Sequence, residues 1–465
     1  MSTPIQLVSP VDGRVYAERR YASPADVEAA LSAAAASQAQ WKRVPVAERA
    51  GYCTAAVEAM LAMREDIVPE LAWQMGRPVR YGAGELRGFE DRARHMIAIA
   101  AEALAPIAIA PKAGFRRAIR REPLGTVLVI APWNYPYLTA VNSIIPALMA
   151  GNSVVLKHAT QTLLVGERFA EAFRRARLPE GLFHNLLMDH PQTAAVIASG
   201  RVHQVNFTGS VAGGRAMEAA AAGHFLGVGL ELGGKDPAYV RADADLAYAV
   251  ENLVDGSYFN SGQSCCGIER IYVARAVYPE FVERFVALTR QYVLGNPLEA
   301  ATTLGPVIKP AAAAFVRGQI AEAVRMGAQA LIDASAFPAD APGSAYLAPQ
   351  VLTGVDHRMS VMREESFGPV VGIMPVADDA EAVTLMNDSE FGLTASIWTR
   401  DLDAAERIGA DVETGTVFMN RCDALDPALA WTGVKNTGRG VTLSRVGYET
   451  LTRPKSFHLR YDTAA

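Results

Sequence analysis

Residues 126–158 read TVLVIAPWNYPYLTAVNSIIPALMAGNSVVLKH, and the interpretation of this stretch decides the fold. No charged residue stands between Glu122 and Lys157, and that length could cross a bilayer. Pro132, Asn134, Pro136, Pro146 and Gly151 punctuate it, however. They divide it into a β-rich run (TVLVIA), a loop, an apolar helical run (AVNSIIPALMA) and a second β-rich run (SVVLK). Strands that are apolar without alternation belong to parallel sheets covered on both faces. The expectation is therefore strand, loop, helix, strand inside a core, and a membrane span is rejected.

The alternation continues toward the C-terminus. TLLVGERFAEAFRRAR reads as a helix, FHNLLM as a strand, PQTAAVIASG as a helix and HQVNFTGS as a strand before an Ala-rich helix. Such a pattern predicts an α/β protein with a parallel sheet and helices on both faces. In these sheets ligands bind at the carboxyl ends of strands. Trp133, Asn134, Lys157, Gly209 and Ser210 all fall just after a strand. A second α/β pattern begins near Gly234 and takes in ERIYVAR, EFVERFVALTRQYV, VVGIMPV, AEAVTLMN, ASIWT and GTVFMN. Toward the N-terminus the first third reads as helical, from Ser23 as a helix cap to about Leu104. Residues 106–122 alternate around a glycine in the manner of a hairpin, and TRPKSFHLR reads as a terminal strand.

At 465 residues the chain exceeds one hydrophobic core, so two or three domains are expected. The formal charge of -5 and the short cluster Arg116, Arg117, Arg120 and Arg121 beside Glu122 argue against a nucleic-acid partner. The cluster reads as a solvated strand edge. Cysteines at 53, 265, 266 and 422 fit neither a disulfide scaffold nor a zinc spacing. Reduced thiols in the cytoplasm are expected, with no metal and, from MSTPIQLVSPVDGR, no signal peptide.

Several short stretches carry chemistry. GQSCCG places Cys265 in a small-residue turn that a substrate can approach closely. A lone cysteine is ordinarily a buried structural group, but a thiol also suits reversible covalent work on carbonyls. In ELGGKDP, Glu231 precedes two glycines, and a half-buried carboxyl there has a pKa raised toward that of a general base. In APWNYPY, Asn134 could donate to an oxyanion or simply form a turn. FTGS follows a strand and opens a helix, whose free N–H groups suit a phosphate, although the GxGxxG fingerprint is absent. EESFGP, residues 364–369, could by itself be any loop.

The ordered series APWNYP, VVLKHA, FTGS, ELGGKDP, GQSC and EESFGP resembles the motif series of the aldehyde dehydrogenase superfamily over nearly the whole chain. That resemblance implies oxidation of an aldehyde to its acid with NAD or NADP. Cys265 becomes the nucleophile, Glu231 the base for deacylation, and Asn134 with the Cys265 N–H the oxyanion hole. Lys157 is implied at the adenosine ribose, Ser210 beside Gly209 at the pyrophosphate, and Glu365 at the nicotinamide ribose. Trp133 and Phe367 would flank the cofactor. Tyr135, Leu138, Asn142, Ser264 and Cys266 would line the aldehyde tunnel, joined by Asp423, Asp426 and Trp431 from a divergent later loop. KHAT stands where the family often has KPxE. Thr160 thus removes an acid near the ribose, and His158 could add a donor, so NADP is expected to be accepted. A variant Rossmann cofactor domain is implied over 1–105 and 124–233, with a catalytic domain over 234–435. An oligomerisation arm is implied over 106–123 and 450–465, serving a homodimer or homotetramer. The rival within the superfamily is a CoA-acylating semialdehyde dehydrogenase, against which Glu231 argues. A catalytically silent binding protein on the same scaffold would have no use for Cys265, Glu231, Asn134 and Lys157 together.

Overall fold

The computed structural model describes residues 4–463. Residues 1–3 and 464–465, the outer ends of the first and third expected segments, lie outside the described residues. Two sheets organise the chain. The first has the order Gly438–Arg439, Gly227–Glu231, Gln204–Thr208, Thr126–Ala131, Ser153–His158, Phe183–Asn185. All neighbours in it are parallel except the edge pairing of Gly438–Arg439 with Gly227–Glu231.

The expectation for 126–158 holds. TVLVIA is a strand buried at every position, Pro136–Ala150 is a helix, and Ser153–His158 is a fully buried strand. The physical reason lies in the two faces. Val127 and Val129 join the core beneath helices 46–61, 79–103 and 136–150, whereas Leu128 and Ile130 join the core beneath helix 24–41. Both faces are dry, so polar alternation would leave unpaired groups inside, and each such side chain contributes about 1.5–3 kcal/mol by burial.

The second sheet has the order Gln329–Ala330, Gln350–Thr353, Val370–Val376, Ile268–Ala274, Asp236–Val240, Thr394–Trp398, Thr416–Met419. It too is parallel apart from its first, antiparallel edge strand. Residues 232–235 carry the chain from the first sheet to the second. The return at Gly438–Arg439 falls between the segments ending at 435 and beginning at 450.

Two expectations need correction. The N-terminal third is not wholly helical, because Pro4–Val8 and Val15–Arg20 form an antiparallel hairpin before the first helix. That helix, Pro24–Trp41, does begin at Ser23, whose side chain accepts from the Asp26 N–H while Asp26 accepts from the Ser23 N–H. Residues 106–122 keep only single bridges of a hairpin, Ile107 to Ile119 and Lys112 to Phe115. The long ladder instead pairs Phe115–Pro123 with Thr452–Arg460. A nine-residue strand with two arginine pairs finds a fuller partner in a second nine-residue strand than in its own short neighbour. Among the described residues no helix is long and apolar enough to cross a membrane.

Candidate active site

In the first sheet the strand order reverses between Thr126–Ala131 and Gln204–Thr208, the arrangement that opens a crevice at strand ends. The loops leaving these two strands carry Pro132–Tyr135 and Gly209–Ser210. Glu231 is the last residue of the next strand, and Cys265 stands three residues before strand Ile268–Ala274 of the second sheet. Four loops distant in sequence therefore converge between the sheets.

They enclose two cavities that meet. One, about 450 Å³, is lined by Trp133, Asn134, Lys157, Gly209, Ser210, Glu365 and Phe367, among others. The other, about 280 Å³, is lined by Tyr135, Leu138, Asn142, Ser264, Cys266, Asp423 and Trp431, among others. Glu231 and Cys265 border both.

The nucleophile position is built by strain and close approach. Asn260 and Ser261 hold φ of 54° and 58°, a left-handed conformation costly for side-chain-bearing residues. Gln263 secures the turn by donating to the Asn260 carbonyl at 3.1 Å and accepting from the Ile308 N–H at 2.7 Å. A Cβ on Gly234 would lie 2.2 Å from the Cys265 carbonyl oxygen, and one on Gly233 would lie 2.5 Å from Glu365 Oε2. Glycines are required there because Gly234 packs against the Cys265 backbone and Gly233 against the Glu365 carboxyl, leaving no room for a side chain. Cys265 emerges half-exposed between buried Ser264 and Cys266.

Asn134 Nδ2 donates to the Gln263 carbonyl at 3.2 Å, which brings its amide beside the Cys265 turn. The Asn134 carbonyl accepts from Asn260 Nδ2 at 3.1 Å and from an Arg77 guanidinium nitrogen at 2.6 Å. Glu85 pairs with Arg77 and accepts the N–H groups of Tyr137 and Leu138 at 2.9 and 3.1 Å, fixing the start of helix 136–150. Glu231 accepts hydrogen bonds from Thr442 Oγ1 at 2.5 Å and Thr208 Oγ1 at 3.1 Å. Burial raises its pKa above the ordinary carboxylate value, while the two threonine hydroxyls and the Arg92 charge lower it. The net shift is upward, the direction a general base requires.

Cys266 is engaged elsewhere. Asp423 Oδ1 accepts from Cys266 Sγ at 2.9 Å and Ser264 Oγ at 3.1 Å. The hydrogen bond with Cys265, burial and the Asp423 charge together push the Cys266 thiol well up, so it stays protonated. Burial likewise lifts the Asp423 carboxyl to about 7.

In the larger cavity Trp133 and Phe367 meet edge to face with centroids 5.5 Å apart. Phe367 has φ of 51°, and its N–H and that of Ser366 donate to Glu269 at 2.9 and 2.8 Å. Glu269 is held in turn by buried Lys235. Glu365 accepts from the Gly234 N–H at 2.9 Å, and burial raises its carboxyl to about 7. Lys157, 8% exposed, has no hydrogen-bond or ion-pair partner among the described residues. Ser210 caps helix 211–221 through the Gly213 N–H. An unpartnered buried ammonium, a helix N-terminus and a carboxylate along one cleft fit the hydroxyls and phosphates of a dinucleotide.

Two expected residues, His158 and Asp426, sit elsewhere, and Thr160 lies just past the lining. His158 is wholly buried, its ring nitrogens 3.2 Å from the Pro136 carbonyl and from Thr162 Oγ1. Burial holds its pKa down at about 4, so it offers neither charge nor a free donor to the cleft. The strand's alternation turns Lys157 toward the cleft and therefore His158 away. Thr160 opens a short turn one residue beyond Ala159, the last lining residue of that strand end. Asp426 is exposed and caps the Ala428 N–H at 2.9 Å instead of lining the tunnel. Conversely, Arg77, Glu85, Arg92, Thr442 and Glu269 carry the site without any sequence motif announcing them. Only the 3.6-residue periodicity of helix 79–103 could have placed Glu85 and Arg92 on one face. Among the described residues no group of His, Cys, Asp and Glu could hold a metal ion.

The aldehyde dehydrogenase family model matches residues 1–457. Succinate semialdehyde dehydrogenase (NAD(P)+) of Escherichia coli K12 is 33% identical over 445 residues, which cover 95% of this chain and 94% of that one. The 3,6-anhydro-alpha-L-galactose dehydrogenase of Streptomyces coelicolor is 33% identical, covering 98% and 93%. The crystal structure of an NAD-dependent aldehyde dehydrogenase from Sinorhizobium meliloti superposes with a TM-score of 0.93 at 32% identity, covering 100% and 92%. The chain belongs to the aldehyde dehydrogenase family. It is an NAD(P)-dependent enzyme that oxidises an aldehyde to the carboxylic acid.

Proposed function

We propose that Cys265 is the nucleophile and Glu231 the base of a hydrolytic aldehyde dehydrogenase. The observation that carries this reading is their position at the junction of the two cavities, where only an aldehyde carbon and a nicotinamide need meet. The Cys265 thiolate adds to the carbonyl carbon, and the new oxyanion accepts hydrogen bonds from the Asn134 amide and the Cys265 N–H. Lys157, Ser210, Glu365 and the Trp133–Phe367 pair would hold NAD(P), which would supply the hydride acceptor. What remains on Cys265 is a thioester. Glu231 takes a proton from water as the water oxygen attacks the thioester carbon, and the acid departs with the thiolate restored. A base at this junction argues for water, not CoA, as acyl acceptor.

In Glu231→Gln the burst of reduced cofactor should persist while turnover falls by ~100-fold or more, with the acyl group visible on Cys265 by mass spectrometry. In Cys265→Ala both should vanish. A Cys265→Ala protein retaining activity would overturn the covalent route. We further propose NADP acceptance through Thr160, cytoplasmic residence, and pairing of copies through the 115–123/452–460 arm. Sedimentation of a protein truncated after Thr452 tests the last point, a monomer being expected.

A further inference from the structure

The smaller cavity contains a buried cation with an open hydrogen-bonding edge. Arg92, on helix 79–103, is 8% exposed and lines the cavity. Its Nη1 donates to the Leu138 carbonyl at 2.7 Å and to Asn142 Oδ1 at 3.4 Å, which fixes the plane of the guanidinium. Neither Nε nor Nη2 has a hydrogen-bond partner among the described residues, and Arg92 forms no ion pair among them. These two nitrogens form one edge of the fork, whose parallel N–H groups match the two oxygens of a carboxylate. An arginine stays charged even when buried, so leaving that edge empty is costly. The other cavity arginine, Arg77, differs because it is paired with Glu85.

We propose, resting on the reading of Cys265 and Glu231 above, that Arg92 binds the distal carboxylate of a short ω-oxo acid. The substrate is then a semialdehyde whose acid end is held on the free edge of the guanidinium and whose aldehyde end reaches Cys265. Three features set the length. The cavity holds about 280 Å³, near the lower bound of small-molecule pockets. Arg92 grips the same helix, through Leu138 and Asn142, that starts immediately after the Asn134 loop. Arg92, Glu231 and Cys265 all line this one cavity, which keeps the two ends of the substrate only a few carbons apart. None of the cavity's acids takes the free edge: Glu85 is held by Arg77 and the Tyr137 and Leu138 N–H groups, and Glu231 by the Thr208 and Thr442 hydroxyls. Asp423 is occupied by Ser264 and Cys266. Asp255 stands at the rim, shared with a separate cavity lined by Tyr81, Tyr248 and Tyr292. Relatives of equal identity act on a semialdehyde and on an anhydrosugar, so similarity alone does not choose between them.

The test compares three aldehydes of one length with the full-length enzyme and saturating cofactor: 4-oxobutanoate, butanal and 4-aminobutanal. The expected result is a kcat/KM for 4-oxobutanoate at least ~30-fold above butanal, and above 4-aminobutanal. In Arg92→Gln that ratio should fall to near one, mostly through KM, and Arg92→Lys should restore part of it. Arg92 also lowers the Glu231 pKa, but that effect touches all three substrates equally and cancels in the ratio. A preference for butanal or 4-aminobutanal, or a ratio unchanged in Arg92→Gln, overturns the proposal and leaves the thiol mechanism standing. Should no aldehyde be oxidised, the mechanism falls instead. Calorimetric binding of succinate, present in the wild type and lost in Arg92→Gln, then still decides for the arginine, and its absence decides against it.

Discussion

Replacing Thr442 by valine isolates one influence on the proposed base. The hydroxyl lies 2.5 Å from Glu231 Oε1, and Thr208 supplies the second bond at 3.1 Å. Valine keeps the branched shape, and the backbone bonds of Thr442 with Trp431 do not involve the side chain. The change thus removes a donor to the charged carboxylate and little else. A hydrogen bond to a charged group contributes about 1.5–3 kcal/mol, and each pKa unit corresponds to about 1.4 kcal/mol. The Glu231 pKa, already raised by burial, should therefore rise further. Deacylation needs the ionised form, so the acid limb of kcat should move to higher pH. The high-pH plateau should stay within about threefold. Stopped-flow recording of reduced cofactor gives the second readout, since acylation precedes the base. Its burst should survive at low pH and stand out more clearly against a slower steady state. An acid limb that does not move, or a burst lost together with turnover, would refute the assignment of Glu231 to deacylation.

Gly234→Ala places a methyl 2.2 Å from the Cys265 carbonyl oxygen. Misplacing the nucleophile by about 1 Å should lower kcat by ~100-fold, and a near-wild-type rate would show that the turn is pliable. Asp423→Asn tests a pH-dependent term in stability. The folded carboxyl titrates near 7 against the ordinary 3.8, so its contribution is complete below 3.8 and is lost as pH rises through about 7. At most about 4 kcal/mol is involved. The thermal midpoint of the variant should gain on the wild type between pH 5 and pH 8, and parallel curves would contradict this. Thr160→Glu should weaken NADP by ~10-fold or more in a fluorescence titration and spare NAD. Wild-type protein binding NAD tenfold tighter than NADP would end the expectation of NADP acceptance.

The reading of 126–158 succeeded because burial on both faces of a parallel sheet leaves a trace in one dimension, namely apolar runs without alternation. The loop carrying Trp133 and Asn134 was legible for the same reason, since it follows the run TVLVIA directly. His158 shows where the reading fails. A motif position fixes a residue's place on the chain, but the pleat decides which face it points to, and here that face is the core. The hairpin expected over 106–122 failed because strand pairing across more than 300 positions leaves no local mark.

Sequence alone determined the fold class and, through the ordered motifs and the family they resemble, pointed to Cys265, Glu231 and Asn134 as candidates. Only tertiary structure decided which groups surround them. Thr442 reaches Glu231 from 211 positions away, Asp423 reaches Cys266 from 157, and Arg92 enters the substrate cavity from an otherwise ordinary helix. The physical reason is that pKa values and charge recognition depend on distance and burial in three dimensions, and neither quantity is written in the order of residues.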